Sequence, residues 1–124
     1  MMPLYDLILS LINPICPSFA DHYPTTQTKV YPYVEISFPY VNPNNTYSDN
    51  VLLFVDIWDN QSGSVEEIET IAENIDKALN RLKYNDDKIQ LSIYKNNPFR
   101  YPITDVNVDL QRRQLRFVLK TYYK

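Results

Sequence analysis

The chain has 124 residues, 44% of them hydrophobic and 22% charged, which is typical of one globular domain. The single Gly argues against loops that bind phosphate through glycine backbone, and a net charge of −3 argues against the basic surface of a general nucleic-acid-binding protein. The one cysteine, Cys16, excludes an intramolecular disulfide and indicates a reducing compartment. Eleven tyrosines suit a surface that becomes buried against partners, because the ring is apolar and its tip is polar.

The first segment carries the pattern of an amphipathic helix. Its apolar residues recur on one helical face, at Leu4, Leu7, Ile8, Leu11 and Ile12. Pro3 suits the first turn, and Asn13 followed by Pro14 ends the helix. No basic residue precedes the apolar run and no apolar stretch reaches 18 residues, so neither a signal peptide nor a membrane span is expected.

Four later segments have the patterns of β-strands. Residues 30–38, 88–95 and 115–123 alternate between apolar and polar side chains, and residues 51–57 are almost continuously apolar. The continuous run predicts a central strand covered on both faces. Val106 and Val108 allow a fifth strand. The Pro-rich residues 15–28, the Asn-rich residues 39–50 and residues 96–102 are predicted to be loops.

A second helix is predicted between the central strand and the next one. Ser64 and Glu67 have the spacing of a capping box, with Ser64 at the N-cap. A helical stripe follows, at Val65, Ile68, Ile71, Ala72, Ile75, Leu79 and Leu82. The elements together predict a single α+β domain over residues 1–124, with a mostly antiparallel sheet of four to five strands and two amphipathic helices packed on one face.

Five carboxylates around this strand–helix junction raise the question of a catalytic or metal site; they are Asp56, Asp59, Glu66, Glu67 and Glu69. The three Glu residues are explained by the helix start, where the dipole favours anions. The remaining acids lack the spacing of an acid–base pair or a Ca²⁺ loop. Trp58, between them, is predicted to be a core or helix-packing residue.

The other residues that could support chemistry are isolated in the sequence. His22, the only histidine, lies in the Pro-rich segment, and Cys16 is six residues away. Neither has the setting of a catalytic triad. We therefore expect no enzyme activity, no catalytic residue, no cofactor and no metal. Arg112, Arg113 and Arg116 form a small basic patch, which is either a solvated turn and strand edge or a contact with acidic subunits or passing DNA.

Three segments resemble the tail-completion, or tail-terminator, family of long-tailed (siphovirus-like) bacteriophages. They are YPYVEI at 31–36, LLFVDIWDNQSGSVEEIETIAENIDKAL at 52–79 and RRQLRFVLKTYY at 112–123. The middle segment is the most specific, since it combines an apolar strand ending in Asp-x-Trp, a short Gly/Ser turn and a helix ending in Ala-Leu. The resemblance spans nearly the whole chain.

The resemblance implies a virion structural protein that assembles in the host cytoplasm and acts in the neck region. Six copies would form a ring on the head-proximal end of the tail tube, stop tube polymerisation and form the joint to the head connector. The partners would be other copies, the tail-tube protein and the connector, while DNA passes through the ring without sequence-specific binding. The family supplies no catalytic residue and no cofactor.

A ring built from one contact repeated head to tail needs two different patches on each subunit. The candidate interface residues are Asn42, Asn44, Asn45, Tyr47 and Asp49 in the Asn-rich loop, and Arg112, Arg113 and Arg116 in the basic patch. Two alternatives stay open: a head-closure or adaptor neck protein, and a small α+β ligand-binding or enzymatic domain that uses Asp56, His22 or Cys16.

Overall fold

The computed structural model describes residues 2–24, 26, 28–43, 45, 47–60, 64–103 and 110–124, with only the backbone of Tyr101. Two helices and six strands follow in the order α1 (Met2–Ile12), β1 (Ser18–Ala20), β2 (Tyr33–Pro43), β3 (Ser48–Asp59), α2 (Glu66–Leu79), β4 (Lys83–Asn85), β5 (Ile89–Pro102) and β6 (Gln111–Tyr123). Asn44 and the strand expected around Val106 and Val108 lie outside the described residues.

All six strands form one sheet in the order β1-β2-β3-β6-β5-β4. Every neighbouring pair is antiparallel except β1 and β2, which run parallel. The predicted α+β class and mostly antiparallel pairing are confirmed. The described residues form six strands rather than the four to five predicted, because the short strands β1 and β4 carry too few residues to show a period.

The core lies between the two helices and one face of the sheet. The fully or nearly buried strand residues alternate with exposed or half-buried ones, as at Leu53, Val55 and Ile57 of β3 and at Leu115, Phe117 and Leu119 of β6. They join the buried stripes of both helices in one hydrophobic cluster, which includes Leu4, Ile8 and Ile12 of α1 and Ile68, Ala72, Ile75 and Leu79 of α2. We call the opposite side of the sheet the open face.

Two structural predictions about the middle of the chain are wrong. Residues 39–50 are not a featureless loop, because β2 continues to Pro43 and β3 begins at Ser48, so the connection is a hairpin turn. Residues 96–102 likewise belong to β5. Proline explains the error: the register shifts between Ser37 and Tyr40 and between Lys95 and Arg100, and each irregular stretch contains a proline.

The packing of β2 and β3 also differs from the prediction. The strand predicted to begin at residue 30 begins at Tyr33 instead, and Val30 precedes it and is 70% exposed. Strand β3 is covered fully on one face only, since its even-numbered residues after Ser48 are half-buried on the open face. Trp58 is one of these residues, so it does not pack against a helix.

Helix α2 begins one residue later than predicted. Glu66 is its first residue, and Val65 holds the cap position with no side-chain hydrogen bond there. Ser64 Oγ instead accepts a hydrogen bond from the backbone N–H of Glu66 at 3.2 Å. Glu66, Glu67 and Glu69 all lie in the first turn, where the helix dipole favours carboxylates.

In the part of the chain that the structure describes, the long strands nearest the two edges, β2 and β5, are only partly covered by β1 and β4. Strand β1 pairs with Val34–Ile36 of β2, and the rest of β2 continues past it to Pro43. Strand β4 pairs with Gln90–Ser92 of β5. Because β2 and β5 run in opposite directions across the intervening strands, the covered stretches lie at opposite ends of the two edges.

The chain should lose stability in alkali. Burial, with a smaller contribution from the hydrogen bond to Asp21, raises the pKa of Tyr5 to about 12, and burial raises the pKa of Cys16 to about 11. Burial also raises the pKa of Tyr33. The unfolded chain, with ordinary pKa values, releases these protons first, so their stabilising effect is complete below about pH 9 and is lost as pH rises towards 12.

Urea unfolding measured at pH 8, 9, 10 and 11 checks this expectation. The free energy of unfolding should fall with pH, and Tyr5→Phe should make the fall above pH 10 less steep. Tyr47→Phe, at a side chain that is 80% exposed, is the matched control and should leave the curve unchanged. Equal slopes for Tyr5→Phe and the unaltered chain would contradict the assignment.

Candidate assembly surfaces

The candidate residues of the Asn-rich segment gather at the tip of the β2–β3 hairpin. Asn42 and Asp49 lie in the paired strands, where Asn42 faces Asn50 and Pro43 faces Asp49. Asn45 orders the turn, because its side-chain Oδ1 accepts hydrogen bonds from the backbone N–H of Tyr47 at 2.8 Å and from Ser48 Oγ at 3.1 Å. The tip is thus built by local polar contacts.

The same tip carries exposed aromatic and apolar side chains. Tyr47 is 80% exposed, Tyr40 61% and Val41 45%. A shallow groove beside the tip is lined by Tyr47, Ser48, Asp49, Tyr122 and Tyr123. Tyrosine on a protruding hairpin is well suited to a protein contact, since it buries a large rigid surface at a low cost in side-chain entropy.

The predicted basic patch does not lie on a strand edge. Arg112, Arg113 and Arg116 belong to β6, which pairs with β3 on one side and β5 on the other. Alternation sends Arg112 and Arg116 to the open face and Arg113 to the helix side. There Arg113 Nε donates to Glu69 Oε1 of α2 at 2.8 Å, and Arg100 of β5 pairs with the same carboxylate. Arg113 therefore links the sheet to α2.

On the open face, Arg112 completes a stack of planar side chains. Its guanidinium lies 4.6 Å from the centre of the Trp58 ring, and that ring lies over Tyr33 at 6.2 Å with an interplanar angle of 14°. Tyr33 faces Trp58 across the β2–β3 pair, and Trp58 faces Arg112 across the β3–β6 pair. The register of three adjacent strands thus builds the stack.

Asp56, two residues before Trp58 on β3, fixes the position of Arg112 in the stack. Its Oδ1 accepts hydrogen bonds from Arg112 Nε at 3.2 Å, Arg112 Nη2 at 3.0 Å and Gln114 Nε2 at 3.0 Å. Gln114 Oε1 in turn accepts a bond from Arg116 Nε at 2.9 Å, and the Arg116 guanidinium lies 4.7 Å from the centre of the Phe54 ring. Asp56, once a catalytic candidate, is the centre of a structural network.

The Pro-rich segment contributes an aromatic cluster beside the stack. Tyr33 is only 1% exposed because the rings of Tyr23 and Tyr31 lie 4.8 Å and 5.3 Å from it. Phe19 packs against Tyr23 at 4.5 Å. The backbone N–H of Tyr23 donates to Glu35 at 2.8 Å, which fastens the segment to β2. The sequence pattern predicts a loop here, whereas Phe19 lies in β1 and Tyr23 packs against Tyr33; these aromatic residues are the sequence signal for packing.

The remaining chemical candidates show no assembled site. Cys16 is buried, and its raised pKa keeps it as a neutral thiol at neutral pH. His22 is exposed in the segment after β1. Within the described residues, no group of three or more His, Cys, Asp or Glu side chains is arranged to hold a metal ion. No helix in that part of the chain has the length and apolarity needed to cross a membrane.

The comparisons with known proteins find a likeness in fold. No family model and no curated protein matches the chain. Among solved structures, it is similar to a chain in the virion of a native gene transfer agent particle, with a TM-score of 0.67 and 12% sequence identity. The likeness covers 93% of this chain and 84% of that chain. At this identity it concerns the fold, which extends over nearly the whole molecule.

Proposed function

We propose that this chain is a structural subunit of a tailed phage or phage-like particle. The observation that carries the proposal is the shared fold with a chain of a gene transfer agent virion over 93% of this chain. The three segments that resemble the tail-terminator family give the finer role. In that role, six copies form a ring on the head-proximal end of the tail tube, stop its growth and join it to the head connector.

The surfaces described above fit a subunit that acts by contact. The exposed tyrosines and Val41 at the hairpin tip, with Asn42, Asn45 and Asp49, supply a protruding patch for a neighbouring copy or for the tube. Two carboxylates near the strand–helix junction have structural roles: Asp56 organises the open face and Glu69 joins α2 to the sheet. We therefore propose an assembly role without catalysis, in the neck of the virion.

A stop codon in the gene within its phage or prophage tests the role directly. Electron microscopy of the lysate should show filled heads beside free tubes of abnormal length. Free tails of normal length beside unjoined heads would instead assign the protein to head closure. Complete, infectious particles would overturn both structural roles.

Substitutions at the hairpin tip should separate folding from assembly. Tyr40→Ser combined with Tyr47→Ser removes two exposed rings, so the free energy of unfolding should change by less than about 0.5 kcal/mol for each substitution. Control of tail length should be lost, as in the stop-codon mutant. The matched control is Val30→Ser, which removes an apolar side chain that is 70% exposed ahead of β2, at the end of that strand remote from the tip.

Complementation of the stop-codon mutant with each variant is the measurement. The control should restore tails of normal length, and the double variant should not. Normal tails with the double variant would exclude the hairpin tip as an assembly contact, provided that both variants unfold like the unaltered chain.

A further inference from the structure

Two stripes of side chains lie on opposite sides of the domain. On α2 the solvent-facing stripe consists of Glu66, Thr70, Glu73 and Lys77, all exposed and spaced on one helical face. On β6 the open-face residues include Gln114, Arg116, Val118 and Lys120, which alternate with the core residues of that strand. The helices cover the other face of the sheet, so the two stripes point in opposite directions.

The two stripes have complementary charge patterns. Along α2 the order is acid, neutral, acid, base. Along β6, read from Lys120 to Arg116, the order is base, neutral, base, and the next open-face residue, Gln114, is buried and bonded to Asp56. The α2 stripe spans about 16 Å at 1.5 Å per residue, and the β6 stripe spans about 20 Å at 3.3 Å per residue. The two acids of the α2 stripe, Glu66 and Glu73, can therefore face the two bases of the β6 stripe.

We propose that the α2 stripe of one copy docks lengthwise on the β6 stripe of the next copy. Glu66 then meets Lys120, and Glu73 meets Arg116. Thr70, between the two acids, meets Val118. The apolar residues Leu52 and Phe54 flank the β6 stripe on β3, and give the helix a partly apolar floor.

This contact is heterologous, because it joins two different patches of the same chain. In a pair of copies, one copy keeps a free α2 stripe and the other keeps a free β6 stripe. Further copies can therefore add head to tail, and the series closes into a ring where the rotation allows. The closed ring rests on the proposed function, whereas the contact itself is a property of two copies of this chain. Opposite charges across it would also favour the correct orientation during encounter.

Paired cysteines test the contact. Thr70→Cys combined with Val118→Cys in one chain should give, after mild oxidation, a ladder of disulfide-linked oligomers on a non-reducing gel. Each single substitution should give dimers at most, because a ladder needs both patches in every copy. The matched control is Thr70→Cys with Asp87→Cys, which places the second thiol at an exposed position between β4 and β5. Both samples are measured as concentrated protein and in assembled particles.

A charge reversal in each patch adds specificity. In a mixture of a Thr70→Cys chain and a Val118→Cys chain, Glu73→Lys in the first or Arg116→Glu in the second should each lower the yield of linked dimer about tenfold. The two substitutions together should restore the yield of linked dimer, since the two positions then carry opposite charges again. Glu73 is exposed, so its substitution does not threaten the fold.

The outcomes separate this inference from the proposed function. If Thr70→Cys with Val118→Cys gives no ladder beyond its control in either sample, the contact is wrong, and tail-length control can still stand. If the stop-codon mutant makes normal tails while the ladder forms, the contact is right and the terminator role is wrong. Loss of linked dimer without rescue by the reversed pair would overturn the proposed facing of Glu73 and Arg116.

Discussion

Replacing Phe117 by Ala is expected to remove about 3–5 kcal/mol from the free energy of unfolding, the range for large aromatic truncations in cores. Phe117 is fully buried on the central strand β6, and its ring packs edge-on against Phe99 at 5.1 Å. Truncation would leave a cavity on the helix side of the sheet, where both helices and the strand residues meet. Such a loss is a large fraction of the total stability of a typical domain.

The adjacent residue supplies the control for this prediction. Val118 is only half-buried, because it lies on the open face. Val118→Ala should therefore cost no more than about 1 kcal/mol. Urea unfolding followed by circular dichroism measures both variants. Equal losses would mean that the two faces of β6 are equally packed, which contradicts the division into a core face and an open face.

Replacing Asp56 by Ala should cost about 2–3 kcal/mol, because three hydrogen-bond donors on two side chains lose their shared acceptor. The side chains of Asp56 and Arg112 are 13% and 26% exposed, so water can replace only part of what is lost. Asp56→Asn retains a side-chain oxygen and should cost less. The loss should stay below that expected for breaking a fully buried ion pair, since Arg112 keeps some contact with solvent.

The single tryptophan gives this second prediction a local readout. Trp58 lies directly beneath the Arg112 guanidinium, so release of Arg112 should change the fluorescence of Trp58 in the native state. A double-mutant cycle with Arg112→Met completes the test, since the two losses should be strongly non-additive. Additive losses and an unchanged emission spectrum would show that Asp56 and Arg112 do not act as a unit.

The sequence predicts those helices and strands whose buried residues recur at the helical or the strand period. Helix α1 ends at Ile12, just before Asn13, and the inward residues of β5 and β6 are those that the alternation identifies. The short strands β1 and β4 escape prediction because three residues show no period. The later parts of β2 and β5 are not predicted because Pro39 and Pro98 interrupt the alternation. Each of these prolines, which cannot donate a backbone hydrogen bond, lies inside a register shift, and the strand continues beyond it.

The candidate surface was less predictable, because it depends on strand order. Arg112, Trp58 and Tyr33 are far apart in sequence, and only the adjacency of β6, β3 and β2 brings them into one stack. The presence of Asp56 in an apolar run was a sign that β3 has one half-exposed face. Tyr40 is not identified from the sequence because its segment is predicted to be a loop.

The short edge strands have a consequence for how newly made copies of the chain avoid aggregation. The stretches of β2 and β5 that extend beyond β1 and β4 contain Pro39, Pro43, Pro98 and Pro102. Each proline removes a backbone donor, so these edges are poor templates for cross-β growth. We therefore expect free copies to resist edge-to-edge pairing with one another.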